Sequence, residues 1–86
     1  MVIKCIYRKN LKMSPGKLAA QVGHVVANLT KITDNAPVKI VVLEASDKKF
    51  NEKALDLEGT VHYIQADAGF TEVAPGIETV LGWIES

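Results

Sequence analysis

Three stretches decide the fold: VIKCIYR at residues 2–8, SPGKLAAQVGHVVANL at residues 14–29 and VKIVVLE at residues 38–44. The first is β-branched and aromatic and reads as a strand. In the second, Ser14 is an N-cap and Pro15 the first helical residue. Leu18, Val22, Val25, Val26 and Leu29 recur at three- and four-residue spacing and give the helix one apolar face. Ala19, Ala20, Gly23 and Ala27 keep the helix thin, which permits close packing on a sheet. The third stretch is nearly all apolar and suits a strand buried on both faces. Strand, helix and strand in this order imply an α/β layer.

Outward from this unit the pattern continues. Asn10 to Met13 reads as a loop. Thr30 to Pro37 reads as the exit from the first helix, with Asp34, Asn35 and Pro37 as breakers. Ser46 or Asp47 caps a second helix, with Phe50, Ala54 and Leu57 inward and Gly59 as its C-cap. Residues 60–66 (TVHYIQA) are a third strand. Asp67 to Thr71 and Ala74 to Gly76 are turns, and residues 78–84 (ETVLGWI) are a fourth strand. The expected fold is α/β, a four-stranded mixed sheet with element order β-α-β-α-β-β, in one domain over residues 1–86. At 86 residues, 48% hydrophobic and 23% charged, the chain has the composition of a small globular domain and not of a disordered one.

Composition also narrows the function. No apolar run approaches the ~20 residues of a membrane span, and the N-terminus is a poor secretory signal. Cys5 is the one cysteine, so neither an internal disulfide nor a Cys-rich zinc site can form, and a cytoplasmic location is expected. The charges sum to zero but are segregated. Residues 1–33 hold Lys4, Arg8, Lys9, Lys12, Lys17 and Lys31 and no acid, whereas residues 34–86 hold four lysines against ten acids. Such asymmetry marks an anion- or nucleic-acid-binding face, unless the fold mixes the two parts on one surface.

Function is sought where local rules are broken. Lys17 falls in the first turn of a helix, where the dipole disfavours a cation. With Lys12 upstream and free backbone amides at the helix start, it makes an anion site. The Gly16-Lys17 pair lacks the spacing of a P-loop, which excludes a nucleoside triphosphatase. Asp67 falls at a strand end, the usual place for a ligand crevice in an α/β sheet; a turn-forming aspartate is the plainer reading. Thr71 lies four residues on and Thr79 opens the next strand, so both hydroxyls can face Asp67. His24 and His62 are too isolated to hold a metal. No serine sits in a nucleophile elbow, and Cys5 reads as a small core residue.

At this point two blocks converge on a known family. Lys12 to His24 (KMSPGKLAAQVGH) resembles the opening helix motif of the type 2 peptidyl-tRNA hydrolases, and Asp67 to Gly82 (DAGFTEVAPGIETVLG) resembles their second signature. The resemblance implies hydrolysis of the ester joining a peptide to the 3′ end of tRNA. It also implies an α/β fold with a four-stranded mixed sheet, often dimeric. Its catalytic positions correspond here to Lys17, Asp67, Thr71 and Thr79, with Gln21 and His24 as support.

On this reading Asp67 orients and deprotonates water, Lys17 and the helix amides hold the oxyanion or a terminal phosphate, and the two threonines position water or ribose. Lys4, Arg8, Lys9, Lys12 and Lys31 are candidates for the tRNA backbone, and Phe70 for stacking on a base. No metal or organic cofactor is needed, and no membrane is implicated.

The chain departs from the family pattern in several places. Asn10 stands for a typical aspartate, Phe70 for a basic residue, Glu72 for glutamine and Ile77 for serine or threonine. The connection from the first helix to the second strand is short, and the helix that normally follows the last strand is missing. One sheet face is therefore expected to be thinly covered, which favours a homodimer. Two alternatives stay open: a non-catalytic RNA- or protein-binding module on the same fold, and a small-molecule site at the helix end.

Overall fold

A computed structural model describes residues 1–67 and 76–85. Six elements follow in order: β1 (Val2–Arg8), α1 (Pro15–Thr33), β2 (Lys39–Ala45), α2 (Asp47–Asp56), β3 (His62–Ala66) and β4 (Glu78–Glu85). The strands form one mixed sheet in the order β2-β1-β4-β3. β1 runs parallel to β2, and β4 lies antiparallel between β1 and β3.

Period-two alternation divides the core between the two faces of the sheet. Ile3, Cys5 and Val80 point to one face and pack against Val25 and Leu29 of α1. Leu81 and Trp83 point to the other and pack against Phe50 and Leu57, with Ile6 and Ile64 beside them. Gly82 faces α1 between Cys5 and Tyr63 in the register. A Cβ there would overlap Val25 and crowd Cys5 and Leu29, so glycine is what lets the helix lie close to β4.

The caps explain where the helices begin. Ser14 Oγ accepts from Lys17 N at 3.2 Å, and Ser46 Oγ accepts from Lys49 N at 3.2 Å. Both helix ends differ from the sequence reading. α1 continues through Thr33, because the Thr33 hydroxyl bonds back to the Leu29 carbonyl at 2.8 Å. Asp34, in the left-handed conformation at φ 51°, then closes the helix by donating its N–H to the Thr30 carbonyl. α2 is capped at Leu57; Gly59, at φ 82°, serves the turn beyond it.

The larger correction concerns β2. Its apolar run reads as a strand buried on both faces, yet β2 is a sheet edge, with Ile40 45% and Leu43 58% exposed. A run of apolar residues reports affinity for a sheet and does not specify how many neighbours the strand has. α1 leans over β4, β3 and β1, so β2 is left outside its cover.

Candidate functional site

Asp67 follows the last residue of β3, and its side chain is fully buried. Its backbone is pinned on both sides: Asp67 N donates to the Ile77 carbonyl and Gly76 N donates to the Asp67 carbonyl, each at 2.9 Å. The carboxylate is thereby fixed at the mouth of the connection into β4. Three side chains converge beside it. Lys17, in the first turn of α1, forms an ion pair with Asp67 Oδ1. Gln21, one turn along, donates Nε2 to the same oxygen at 3.0 Å. The Thr79 hydroxyl lies 3.3 Å from Gln21 Oε1 and 3.2 Å from the Gln65 carbonyl, and its single proton is shared between these two acceptors.

The i, i+4 spacing of Lys17 and Gln21 is what brings both to one carboxylate. Thr79 arrives by a different device. Val80 packs toward α1, so strict alternation would send Thr79 to the opposite face. The β3–β4 register slips between Gln65 and Ala66, so that Gln65 faces Val80 and Ala66 faces Glu78. This bulge turns Thr79 back toward α1, where it is fully buried. The bulge had no mark in the sequence.

Electrostatically the site places one carboxylate against one ammonium at the positive end of α1. The first turn of α1 carries no acid of its own, so Asp67 supplies the negative charge that the helix start favours. Burial strengthens the pair and makes both partners costly to remove. A polar network of this kind, satisfied among the described residues and set at a helix start, can activate water and stabilise a nearby anion.

The remaining predicted residues fall in several places. Lys9 and Lys12 are exposed and form no ion pair among the described residues; His24 and Lys31 are exposed on α1. Lys4 pairs with Glu85 at 3.5 Å. Arg8 is held differently: its guanidinium binds Asp47 at 3.1 Å, Asn51 at 2.9 Å and the Glu78 carbonyl at 2.8 Å, and stacks 4.1 Å over Phe50. Asn10 joins this cluster through Asp47 Oδ2 at 2.6 Å. Arg8 thus ties β1 to α2 and β4. Phe70 and Thr71 lie outside the described residues, as do the turns assigned to residues 68–75. No helix is long and apolar enough to cross a membrane among the described residues.

The chain is similar to proteins of one family. The family model described as peptidyl-tRNA hydrolase PTH2 matches residues 1–84. A peptidyl-tRNA hydrolase of Methanopyrus kandleri is 40% identical over 93 residues, covering 90% of this chain and 78% of that protein. One from Haloquadratum walsbyi is 35% identical, covering 88% of this chain and 78% of that protein. The human protein named peptidyl-tRNA hydrolase 2, mitochondrial, is 37% identical across 90% of this chain and 51% of its own length.

Proposed function

Because the chain belongs to the peptidyl-tRNA hydrolase PTH2 family, a family of hydrolases, we propose that it cleaves the ester between a peptide and the 3′ ribose of tRNA, with Asp67 as the base. Water attacks the ester carbonyl and gives up a proton toward Asp67. The tetrahedral intermediate then collapses, the bond between the acyl carbon and the ribose oxygen breaks, and that oxygen takes a proton. The products are a free peptide and a tRNA with its terminal hydroxyl restored. General base catalysis of this kind contributes ~10²–10⁴-fold.

Lys17 has two parts in this reading. In the free protein it neutralises Asp67. As substrate enters, its ammonium and the first amides of α1 face the developing oxyanion. Gln21 and Thr79 are positioning residues: Gln21 holds the carboxylate through Oδ1, and Thr79 holds Gln21 in turn. Thr71 is assigned to the attacking water or the ribose hydroxyls. Lys9, Lys12 and Lys31, with a lesser part for Lys4 and Arg8, line the approach of the tRNA backbone; Phe70 offers a face for a base, and His24 flanks the site. Residues 1–86 act as one catalytic domain in the cytoplasm, and two copies associate.

The observation that carries the reading is the buried Lys17–Asp67–Gln21–Thr79 network at a helix start. The test is release of N-acetylated amino acid from blocked aminoacyl-tRNA, with the unblocked form as control. Cleavage of the blocked form alone is expected. Failure of a folded protein to cleave it would leave a binding module on the same fold.

A further inference from the structure

Thr79 reaches the site through a bulge, and a bulge has to be held. The β1–β4 register ends at Tyr7 and Val80, and the β3–β4 register steps from Val80 to Glu78. Among the described residues, Thr79 therefore has a strand partner in neither register. An extra residue of this kind re-aims a side chain and disrupts the ladder around it. Whatever fixes its backbone comes from outside the two registers.

Three bonds tie the residues just before it. Gly76 N donates to the Asp67 carbonyl, and Asp67 N donates to the Ile77 carbonyl, each at 2.9 Å. The third goes to the Glu78 carbonyl, which accepts from Arg8 Nε at 2.8 Å. That carbonyl lies in the plane of the peptide joining Glu78 to Thr79, so its direction sets how Thr79 leaves the strand.

Arg8 holds this carbonyl from a fixed frame. It shares the parity of Ile6 along β1 and so approaches from the α2 face, opposite the Asp67 site. Its side chain is only 15% exposed. Nη1 donates to Asp47 Oδ1 at 3.1 Å and Nη2 to Asn51 Oδ1 at 2.9 Å, both on α2, and the guanidinium lies 4.1 Å from the centre of the Phe50 ring. Asn10 donates to the second oxygen of Asp47 at 2.6 Å and steadies that partner. A planar fork can bond in these three directions at once; a lysine ammonium is a single point on a flexible stem. A guanidinium committed in this way has little left for a phosphate, in keeping with the lesser part given to it above.

We propose that Arg8 is a positioning residue for the hydrolysis. It holds the Glu78–Thr79 peptide, which keeps Thr79 on Gln21 and Gln21 on Asp67. The inference rests on the reading of Asp67 as the base and deepens it: residues packed under α2 govern a site that lies under α1.

The test compares Arg8→Lys, Asn51→Ala and Thr79→Val with the wild type, with folding followed by circular dichroism. Arg8→Gln, which keeps an amide donor, replaces Arg8→Lys if that variant does not fold. Arg8→Lys is expected to lower kcat about 10–100-fold, with KM and the salt slope of tRNA binding unchanged. Asn51→Ala removes one bond to the same guanidinium but leaves Nε on Glu78, and is expected to keep its kcat. Added to Thr79→Val, Arg8→Lys is expected to cost little more, because the two act along one chain of contacts. The side-chain amide resonances of Gln21 report that chain without turnover, and are expected to shift in Arg8→Lys and not in Asn51→Ala.

A salt slope reduced by about one with kcat unchanged would make Arg8 a phosphate contact. Equal losses of kcat in Arg8→Lys and Asn51→Ala would make it a structural tie, and additive losses with Thr79→Val would break the chain of contacts. Each of these overturns the proposal. If the wild type cleaves no blocked aminoacyl-tRNA, a shifted Gln21 amide in Arg8→Lys supports the clamp while the hydrolase reading fails, and an unshifted one overturns both.

Discussion

Gln21 donates its side-chain amide to Asp67 Oδ1 at 3.0 Å across 46 positions of sequence, and both side chains are buried. The same amide offers its oxygen to Thr79. Gln21 is therefore the link between the carboxylate and the bulged strand. A neutral amide donates to a carboxylate through its nitrogen and accepts from a hydroxyl through its oxygen at once.

Gln21→Leu removes both bonds and leaves two buried polar groups without this partner. Stability is expected to fall by about 1–3 kcal/mol, and kcat to fall by a larger factor than KM rises, because Gln21 acts through the Asp67 carboxylate that it holds. Gln21→Glu sets a second carboxylate beside Asp67, which favours the protonated base. The acid limb of its pH–rate profile is expected to move to higher pH. Rates measured on both variants from pH 5 to 9, beside denaturant titrations, check this.

Cys5 is buried in the α1-facing core, and burial pushes its thiol from 9.0 up to about 11. The native state therefore keeps its proton where the unfolded chain releases it. The stability this contributes is complete below pH 9 and is lost as pH rises toward 11. Urea midpoints are expected to fall across that window, and Cys5→Ala to fall less steeply. Below pH 9 the native thiol is expected to resist alkylation until the chain is unfolded.

Gly82→Ala inserts a methyl group against Val25, Cys5 and Leu29. Overpacking of this kind costs about 1–3 kcal/mol. Thermal unfolding is expected at a lower temperature, with the structure otherwise kept. An unchanged transition would mean that α1 lifts from the sheet at no cost.

Much of this was legible in the sequence, and particular residues show why. Ser14 and Pro15 announced α1 because caps and proline act locally. Lys17 stood out because a lysine in a first helical turn opposes the dipole, and Asp67 because it ends a strand. Their meeting was not legible from periodicity; it came with the two family blocks. Gln21 was placed in the motif without chemistry, because its role depends on Asp67, which is distant in the chain. The turn of Thr79 toward α1 required a register slip that alternation does not encode. The exposure of β2 is not written in the strand itself, because strand order is a property of the whole sheet.

Lys12 is exposed and forms no ion pair among the described residues. If it meets a phosphate, Lys12→Ala is expected to weaken tRNA binding and reduce the salt slope by about one. Titration of tRNA at several salt concentrations checks this, and an unchanged slope removes Lys12 from the interface.

The central claim is that Asp67 performs the chemistry. The most direct measurement is single-turnover cleavage of N-acetylated aminoacyl-tRNA by Asp67→Asn, with tRNA affinity measured on the same protein. The amide keeps the size of the side chain and its place beside Lys17 and Gln21, but it cannot take a proton from water. The account predicts a rate lower by ~10²-fold or more with tRNA affinity within a few-fold of the wild type. A folded Asp67→Asn protein that cleaves at the wild-type rate would contradict it.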